Sequence, residues 1–464
     1  MKYKSTRGKV NQLSFSETVL MGLADDGGLI IPEKIPQIGK EEILRLSDLP
    51  YKELALNIME YFIDDIPRID LKTIINDSYS AFDTEEVIPV VSFGGNLFIG
   101  EIFHGPTHAF KDIALQFLGN LFSFILNQKG QKMNILGATS GDTGSAAIYG
   151  FKGKKDINIF ILHPHGKVSP VQELQMTTVD DKNVFNIAIE GTFDDCQFIV
   201  KSIFNDLEFK KRYSLGAINS INWSRVLAQI IYYFYTYFKS TKGNDELPEV
   251  YFAVPTGNFG NIFAGYVAKK MGLPIKKLIL ATNENNILTR FINNGDYSLS
   301  KVVETYSPSM DIQIASNLER YLYFLYNEES EILSEKMNEF EKNKRLSFKG
   351  DELKKIQSDF VSISTSNEQT LKTIKNFYKK YSYILDPHTA CAINAVEAVY
   401  NTQDIFIALA TAHPAKFEDA IVKAIGIKPE EPSRIKQIKG KPKRFTILQN
   451  SIEDVKRFIQ EALS

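Results

Sequence analysis

The chain is poor in cysteine: Cys196 and Cys391 are the only two in 464 residues. A disulfide framework is therefore excluded, and a reducing compartment fits. An excess of one charge is missing too. Lys and Arg number 54 against 56 Asp and Glu, a net charge of −2, which argues against a bulk electrostatic grip on nucleic acid or an anionic membrane. No apolar run approaches the ~20 residues of a membrane span. The longest, Val226 to Phe238, is interrupted by Gln229, Thr236 and several Tyr. The polar start, MKYKSTRGKVNQ, lacks the apolar stretch of a signal peptide. The expectation is a soluble, cytoplasmic protein with neither nucleic-acid nor membrane partners.

Several catalytic signatures are missing as well. There is no G-x-x-x-x-G-K-[ST] and no G-x-G-x-x-G after a strand, so phosphate-loop and dinucleotide fingerprints are excluded. H-E-x-x-H, C-x-x-C and G-x-S-x-G are also absent. The six His residues, 104, 108, 163, 165, 388 and 413, form two close pairs without a third ligand at metal-like spacing, and no metal is expected.

What is present has an order. Residues 1–90 read as a separate helical unit, with helical spacing from Phe15 to Leu23 and a stop at Asp25-Asp26-Gly27-Gly28. Residues 91–464 alternate short β-rich runs, Gly-rich turns and helical stretches, the texture of an α/β fold with a mainly parallel sheet. At this length two large domains or about three smaller ones fit. The stretch 327–381, rich in Lys, Glu, Asn and Ser, reads as a helical insertion on the surface. Arg434 to Arg444 holds six Lys or Arg in eleven positions, either a solvated linker or an anion or partner site. A strand-like FTIL and a final helix, with Ser451 and Asp454 in a capping-box pattern, close the chain.

Three places repeat one local plan: an apolar strand, a polar loop, then a helix. The strands are Met133–Ala138, Val250–Val254 and Ile405–Ala410. Ligands of open α/β sheets bind beyond such strand ends. The loop Thr256-Gly257-Asn258-Phe259-Gly260-Asn261 carries the sharpest signal. Its glycines let backbone approach a ligand, and the following helix start offers unpaired N–H groups to an anion. The other reading is an ordinary left-handed turn. Lys111 sits at the first turn of a helix that is apolar nearly all round. Burial and the positive helix end both favour a nucleophilic amine there, though a snorkelling lysine fits equally. The loop Thr139-Ser140-Gly141-Asp142-Thr143-Gly144 offers hydroxyls and amides suited to a carboxylate, with Asp142 as an acceptor within it. Thr411 could contact a ring nitrogen or cap a helix.

Eight segments in order carry a resemblance over nearly the whole chain: Phe15 to Pro36, HGPTHAFKD (His104 to Asp112), GATSGDTGSAA (Gly137 to Ala147), NSINWSR (Asn219 to Arg225), PTGNFGN (Pro255 to Asn261), SPSMDI (Ser307 to Ile312), LDPHTA (Leu385 to Ala390) and ATAHPAKF (Ala410 to Phe417). Together they resemble the long-chain threonine synthases, pyridoxal-phosphate (PLP) enzymes of fold type II with a tryptophan synthase β-like α/β architecture. The resemblance implies an N-terminal domain of that family over 1–90 and a catalytic region of two α/β subdomains over 91–464. It also implies a lyase that converts O-phospho-L-homoserine and water to L-threonine and phosphate, the last step of threonine biosynthesis. On the same basis Lys111 would hold PLP and shuttle protons. Gly257, Asn258, Phe259, Gly260 and Asn261 would cradle its phosphate, Thr411 would bond its pyridine nitrogen, and Asp142 would lie at its ring oxygen. Thr139, Ser140, Gly141 and Thr143 would receive the substrate carboxylate, and Asn219, Ser220 and Arg225 the substrate phosphate. Two positions depart from the pattern: His108 replaces an aliphatic residue, and Asp142 stands where shorter relatives have Asn. Long-form relatives imply a monomer or homodimer. A phospholyase on the same scaffold and a non-catalytic PLP-binding relative are the alternatives.

Overall fold

Runs of Ile, Leu, Val and Phe, too short for helices, become the strands of two separate sheets. The computed structural model describes residues 1–218, 220–243 and 246–464. They divide into two compact units: a larger one of residues 1–75, 82–104 and 220–430, and a smaller one of 76–81, 105–219 and 431–464.

The larger unit holds a six-stranded sheet in the order Phe360–Ser364, Ile275–Thr282, Val250–Pro255, Ile405–Ala410, Leu97–Glu101, Val90–Ser92. Every pairing is parallel except the last. Its inner strands are apolar on both faces, as a sheet covered on both sides requires. Ala253, Ile279, Phe406 and Ala408 pack against Ala390, Ile393 and Val396 of the helix Pro387–Val399. The helix Trp223–Thr241 buries all its residues but Lys239, which explains the apolar run of the sequence as core, not membrane. No helix among the described residues is long and apolar enough to cross a membrane.

The smaller unit holds a five-stranded parallel sheet in the order Thr446–Gln449, Val184–Glu190, Ile157–Pro164, Met133–Ala138, Leu215–Ala217. The chain's last strand completes an edge of it, and Val455 and Ile459 of the helix Ile452–Ala462 enter the core beside Ile187 and Ile199. On this sheet the helices Lys111–Lys129 and Asp142–Phe151 touch through two glycines. A Cβ on Gly119 would collide with the Gly150 carbonyl, and one on Gly150 with the Leu115 carbonyl.

The stretch 327–381 contains three helices, Ser330–Asn343, Asp351–Asp359 and Asn367–Tyr381. It is not helical throughout, because Phe360–Ser364 forms the edge strand of the larger sheet. The alternation of that five-residue strand is hidden by charged helices on either side. The basic run 434–444 is not a free tail either. Arg434 donates to the Ala81 carbonyl at 2.6 Å, Lys443 pairs with Glu173 at 2.8 Å, and Arg444 pairs with Asp180. Only half of the expected C-terminal capping box forms: Ser451 Oγ accepts from the Asp454 amide.

Candidate active site

In the smaller unit the helix bearing Lys111 is entered by the loop 105–110, which Asp112 gathers. Its carboxylate accepts from the Thr107 amide at 2.8 Å and the Thr107 hydroxyl at 2.7 Å. Gly105 lies against Asp112 so closely that a Cβ would collide with it, and His108 takes a left-handed φ of 55°. This wrapping leaves Lys111 as the first helical residue, its side chain only 13% exposed.

The Lys111 ammonium lies 3.8 Å from Asp142 Oδ2. Asp142 opens the next helix, and its other oxygen accepts from Gln172 Nε2 at 2.7 Å. Ser169 Oγ in turn donates to Gln172 Oε1 at 2.9 Å. Gly141 has φ 152°, and a Cβ there would strike the Gln172 amide. The Thr139 hydroxyl is committed inside the loop, where it accepts from the Gly141 amide at 3.0 Å and the Gly144 amide at 2.8 Å. It thereby satisfies N–H groups that the helix start would otherwise leave open. Ser140 is exposed and Thr143 half-buried.

In the larger unit two loops leave neighbouring parallel strands in the same direction, after Pro255 and after Ala410. In the first, Phe259 takes φ 63°, a left-handed conformation rare for a side chain of its size. Its ring holds the turn by burying itself against Phe360 at 5.7 Å and Tyr321 at 6.0 Å. The helix Gly260–Lys270 starts there with no side-chain cap. Asn261 Oδ1 accepts from the hydroxyls of Tyr232 at 2.6 Å and Tyr233 at 2.9 Å, while its Nδ2 is buried with no protein partner. A Cβ on Gly257 would stand 3.0 Å from the Ser309 carbonyl.

In the second loop Thr411 is buried. The helix-cap reading of its hydroxyl does not hold, because the turn Pro414–Phe417 is capped by His413, whose Nδ1 accepts from the Ala415 amide at 3.1 Å. Burial, with the nearby His104 charge second, pushes His413 down to about 4.

Ser220 Oγ shares a hydrogen bond with Ser316 Oγ at 2.8 Å, and Ser316 reaches Asn258 Oδ1 at 3.4 Å. Arg225 is buried, and neither its Nε nor its Nη1 has a protein partner. Burial alone pushes it down to about 10. Buried guanidinium nitrogens left without an acceptor cost desolvation free energy, a deficit that an anion placed there would offset. Asn219 lies outside the described residues.

Three family models tile the chain: "Threonine synthase N terminus" over residues 2–79, "Pyridoxal-phosphate dependent enzyme" over 90–336 and "Threonine synthase, C-terminal" over 389–459. The curated threonine synthase of Saccharomyces cerevisiae is 47% identical, covering 100% of this chain and 98% of its own. That of Pseudomonas aeruginosa is 43% identical, covering 99% and 98%. The PLP-bound threonine synthase of Brucella melitensis superposes with a TM-score of 0.96 at 43% identity, covering 100% of this chain and 99% of that one.

The chain belongs to the threonine synthase family.

Threonine synthases thus fall among the fold type II PLP enzymes, and two features of this chain fit such a cofactor. The uncapped helix start, with its close glycine approach and the orphaned Asn261 amide, leaves neutral donors of the kind a phosphate could take. The half-buried Lys111, beside an acidic group, is a lysine kept from solvent. Sequence reasoning placed the three loops at strand ends but missed Gln172, Tyr232, Tyr233, Asn317 and Arg320. Gln172 carried no signal, since its partner Asp142 is thirty positions away. The two tyrosines stood out only as polar tips within an apolar helix.

Proposed function

We propose that the chain converts O-phospho-L-homoserine and water to L-threonine and inorganic phosphate, with the residues of its two anion-receptive loops in fixed roles. When bound, PLP supplies an electron sink for carbanionic charge next to the substrate amine. Lys111 would carry the cofactor covalently, then take and return protons with its Nζ. Asp142, 3.8 Å away and oriented by Gln172, would balance the positive charge that Lys111 gains each time it holds a proton. Gly257, Asn258, Phe259, Gly260 and Asn261 would orient the cofactor phosphate through backbone amides and the free Asn261 Nδ2. The Thr411 hydroxyl would meet the pyridine nitrogen as a neutral partner.

Ser220, Arg225 and Asn219 would take the substrate phosphate, whose oxygens match the planar fork of a guanidinium. The amides and hydroxyls of Ser140 and Thr143 would receive the substrate carboxylate, with Gly141, whose amide is held by the Thr139 hydroxyl, shaping the loop beside them. Thr139 would serve chiefly by shaping that loop, since its hydroxyl already holds two amides. The observation that carries the substrate assignment is Arg225: it is buried, and its Nε and Nη1 have no protein acceptor. An N-terminal domain of residues 1–90 and a catalytic region of 91–464 are supported by the family models, one ending at 79 and the next starting at 90. A cytoplasmic monomer or homodimer completes the reading.

Product analysis tests it. PLP-loaded protein incubated with O-phospho-L-homoserine should yield phosphate and threonine in equal amounts. Phosphate with 2-oxobutyrate and ammonia would instead make it a phospholyase. Release of none of these would make it a non-catalytic relative.

A further inference from the structure

Arg320 is fully buried in the larger unit, on the helix Leu318–Leu325. Its neighbour Glu319 is engaged elsewhere, accepting from Arg7 at 3.2 Å and from the Thr6 hydroxyl at 2.7 Å. Arg320 instead spends its donors on neutral oxygens from three separate stretches of chain. Nε and Nη2 reach the Ile30 carbonyl at 3.1 and 2.8 Å, Nη2 reaches the Ile221 carbonyl at 2.5 Å, and Nη1 reaches Asn317 Oδ1 at 2.5 Å. With its oxygen held, Asn317 turns its Nδ2 to the Ser220 carbonyl and the Asn258 carbonyl, both at 3.2 Å, and its backbone amide meets the Asn258 carbonyl at 3.0 Å. The guanidinium also lies over the Trp223 ring at 5.8 Å. Trp223 opens the helix on which Arg225 is the third residue.

Two loops are thus tied to one cation: 220–225, with the orphaned Arg225, and 256–261, with the orphaned Asn261. A bridge built only for stability gains little from a cation at this place. Burying a guanidinium is costly, and apolar packing in its stead is often as stable or more so. A planar fork that addresses three segments at set angles specifies geometry instead.

We propose that Arg320, acting through Asn317, is a positioning residue that sets the two phosphate-receiving loops relative to each other, so that cofactor phosphate and substrate phosphate are bound in register. This rests on the reading above, in which those loops take those two groups. Arg320→Lys keeps the charge and loses the fork; Asn317→Ala keeps the cation and cuts the bridge.

The experiment compares PLP dissociation, KM and kcat for O-phospho-L-homoserine, and thermal midpoint, in both variants loaded with PLP. Loss of the fork should raise the PLP dissociation constant and KM together, each by roughly 10- to 100-fold, with kcat at saturation changed far less. A folded variant of either kind with a lowered melting temperature but unchanged PLP affinity and KM would reduce Arg320 to a structural residue and overturn the proposal. Amide exchange of the unaltered protein provides a check that needs no variant. On adding PLP alone, peptides covering 220–225 and 317–320 should gain protection along with 256–261; protection confined to 256–261 would also overturn it. If the unaltered protein neither binds PLP nor turns over the substrate, it is the underlying functional reading that fails.

Discussion

At the level of single residues, two buried arginines of the larger unit are treated differently by the fold. Arg320 satisfies its donors within the protein, whereas Arg225 leaves two of its nitrogens without a protein acceptor. Arg225 therefore costs folding free energy that an anionic ligand would return. Replacing it by Met should raise the unfolding free energy of the ligand-free protein by ~1–3 kcal/mol, read in urea. The same change should lower kcat/KM for O-phospho-L-homoserine by about 100-fold or more. Equal loss of stability and activity would mean that Arg225 is a packing residue. Lys111→Ala makes a different prediction. Borohydride treatment of PLP-loaded protein should add the cofactor's mass to the Lys111 peptide in the unaltered chain and to no peptide in the variant. Turnover of the variant should fall by at least ~10³-fold.

Among the elements, the decisive contact in the smaller unit is between two helices that meet at Gly119 and Gly150. One helix begins with Lys111 and the other with Asp142, so the packing of the pair sets how those two side chains face each other. Gly119→Ala inserts a methyl where a carbonyl oxygen already lies. It should cost about 2 kcal/mol or more of stability by overpacking, measured by urea unfolding. A cost within ~0.5 kcal/mol, the range of an ordinary surface substitution, would show that the helices can separate freely. The start of each helix was legible from sequence, because an apolar run follows the polar loop before Lys111 and a polar loop follows the apolar strand ending at Ala138. The glycine contact was not legible, since a lone glycine in a helical pattern has the same appearance whether or not a backbone presses on it. The strand Phe360–Ser364 was missed for the complementary reason: five residues of alternation are outweighed by the helical periodicity on either side.

For the molecule as a whole, one pH dependence of stability comes from His413. His413 is held down to about 4 by burial, with His104 adding to the effect and Glu101 and Asp386 opposing it. The neutral ring is the folded form, and the unfolded chain binds a proton near the ordinary 6.5. Between these values the unfolded state carries more protons, so stability falls as pH drops from about 6.5 towards 4 and levels off below. The full effect is about 3 kcal/mol at most. Urea midpoints at pH 7.5 and 5 should therefore differ less in His413→Gln than in the unaltered protein; identical differences would assign the pH dependence to other groups. The sequence alone determined two features: a lysine at a helix start and glycine loops at strand ends. Those features are local, written in neighbouring residues and in hydrophobic period. Tertiary structure alone decided which donors were left unspent. Asn261 and Arg225 look no different in sequence from any buried Asn or Arg, and only packing shows that Asn261 Nδ2 and two Arg225 nitrogens have no partner. The bridge from Ile30 through Arg320 and Asn317 to Asn258 joins positions hundreds of residues apart, and its partners are carbonyl oxygens, which every residue possesses.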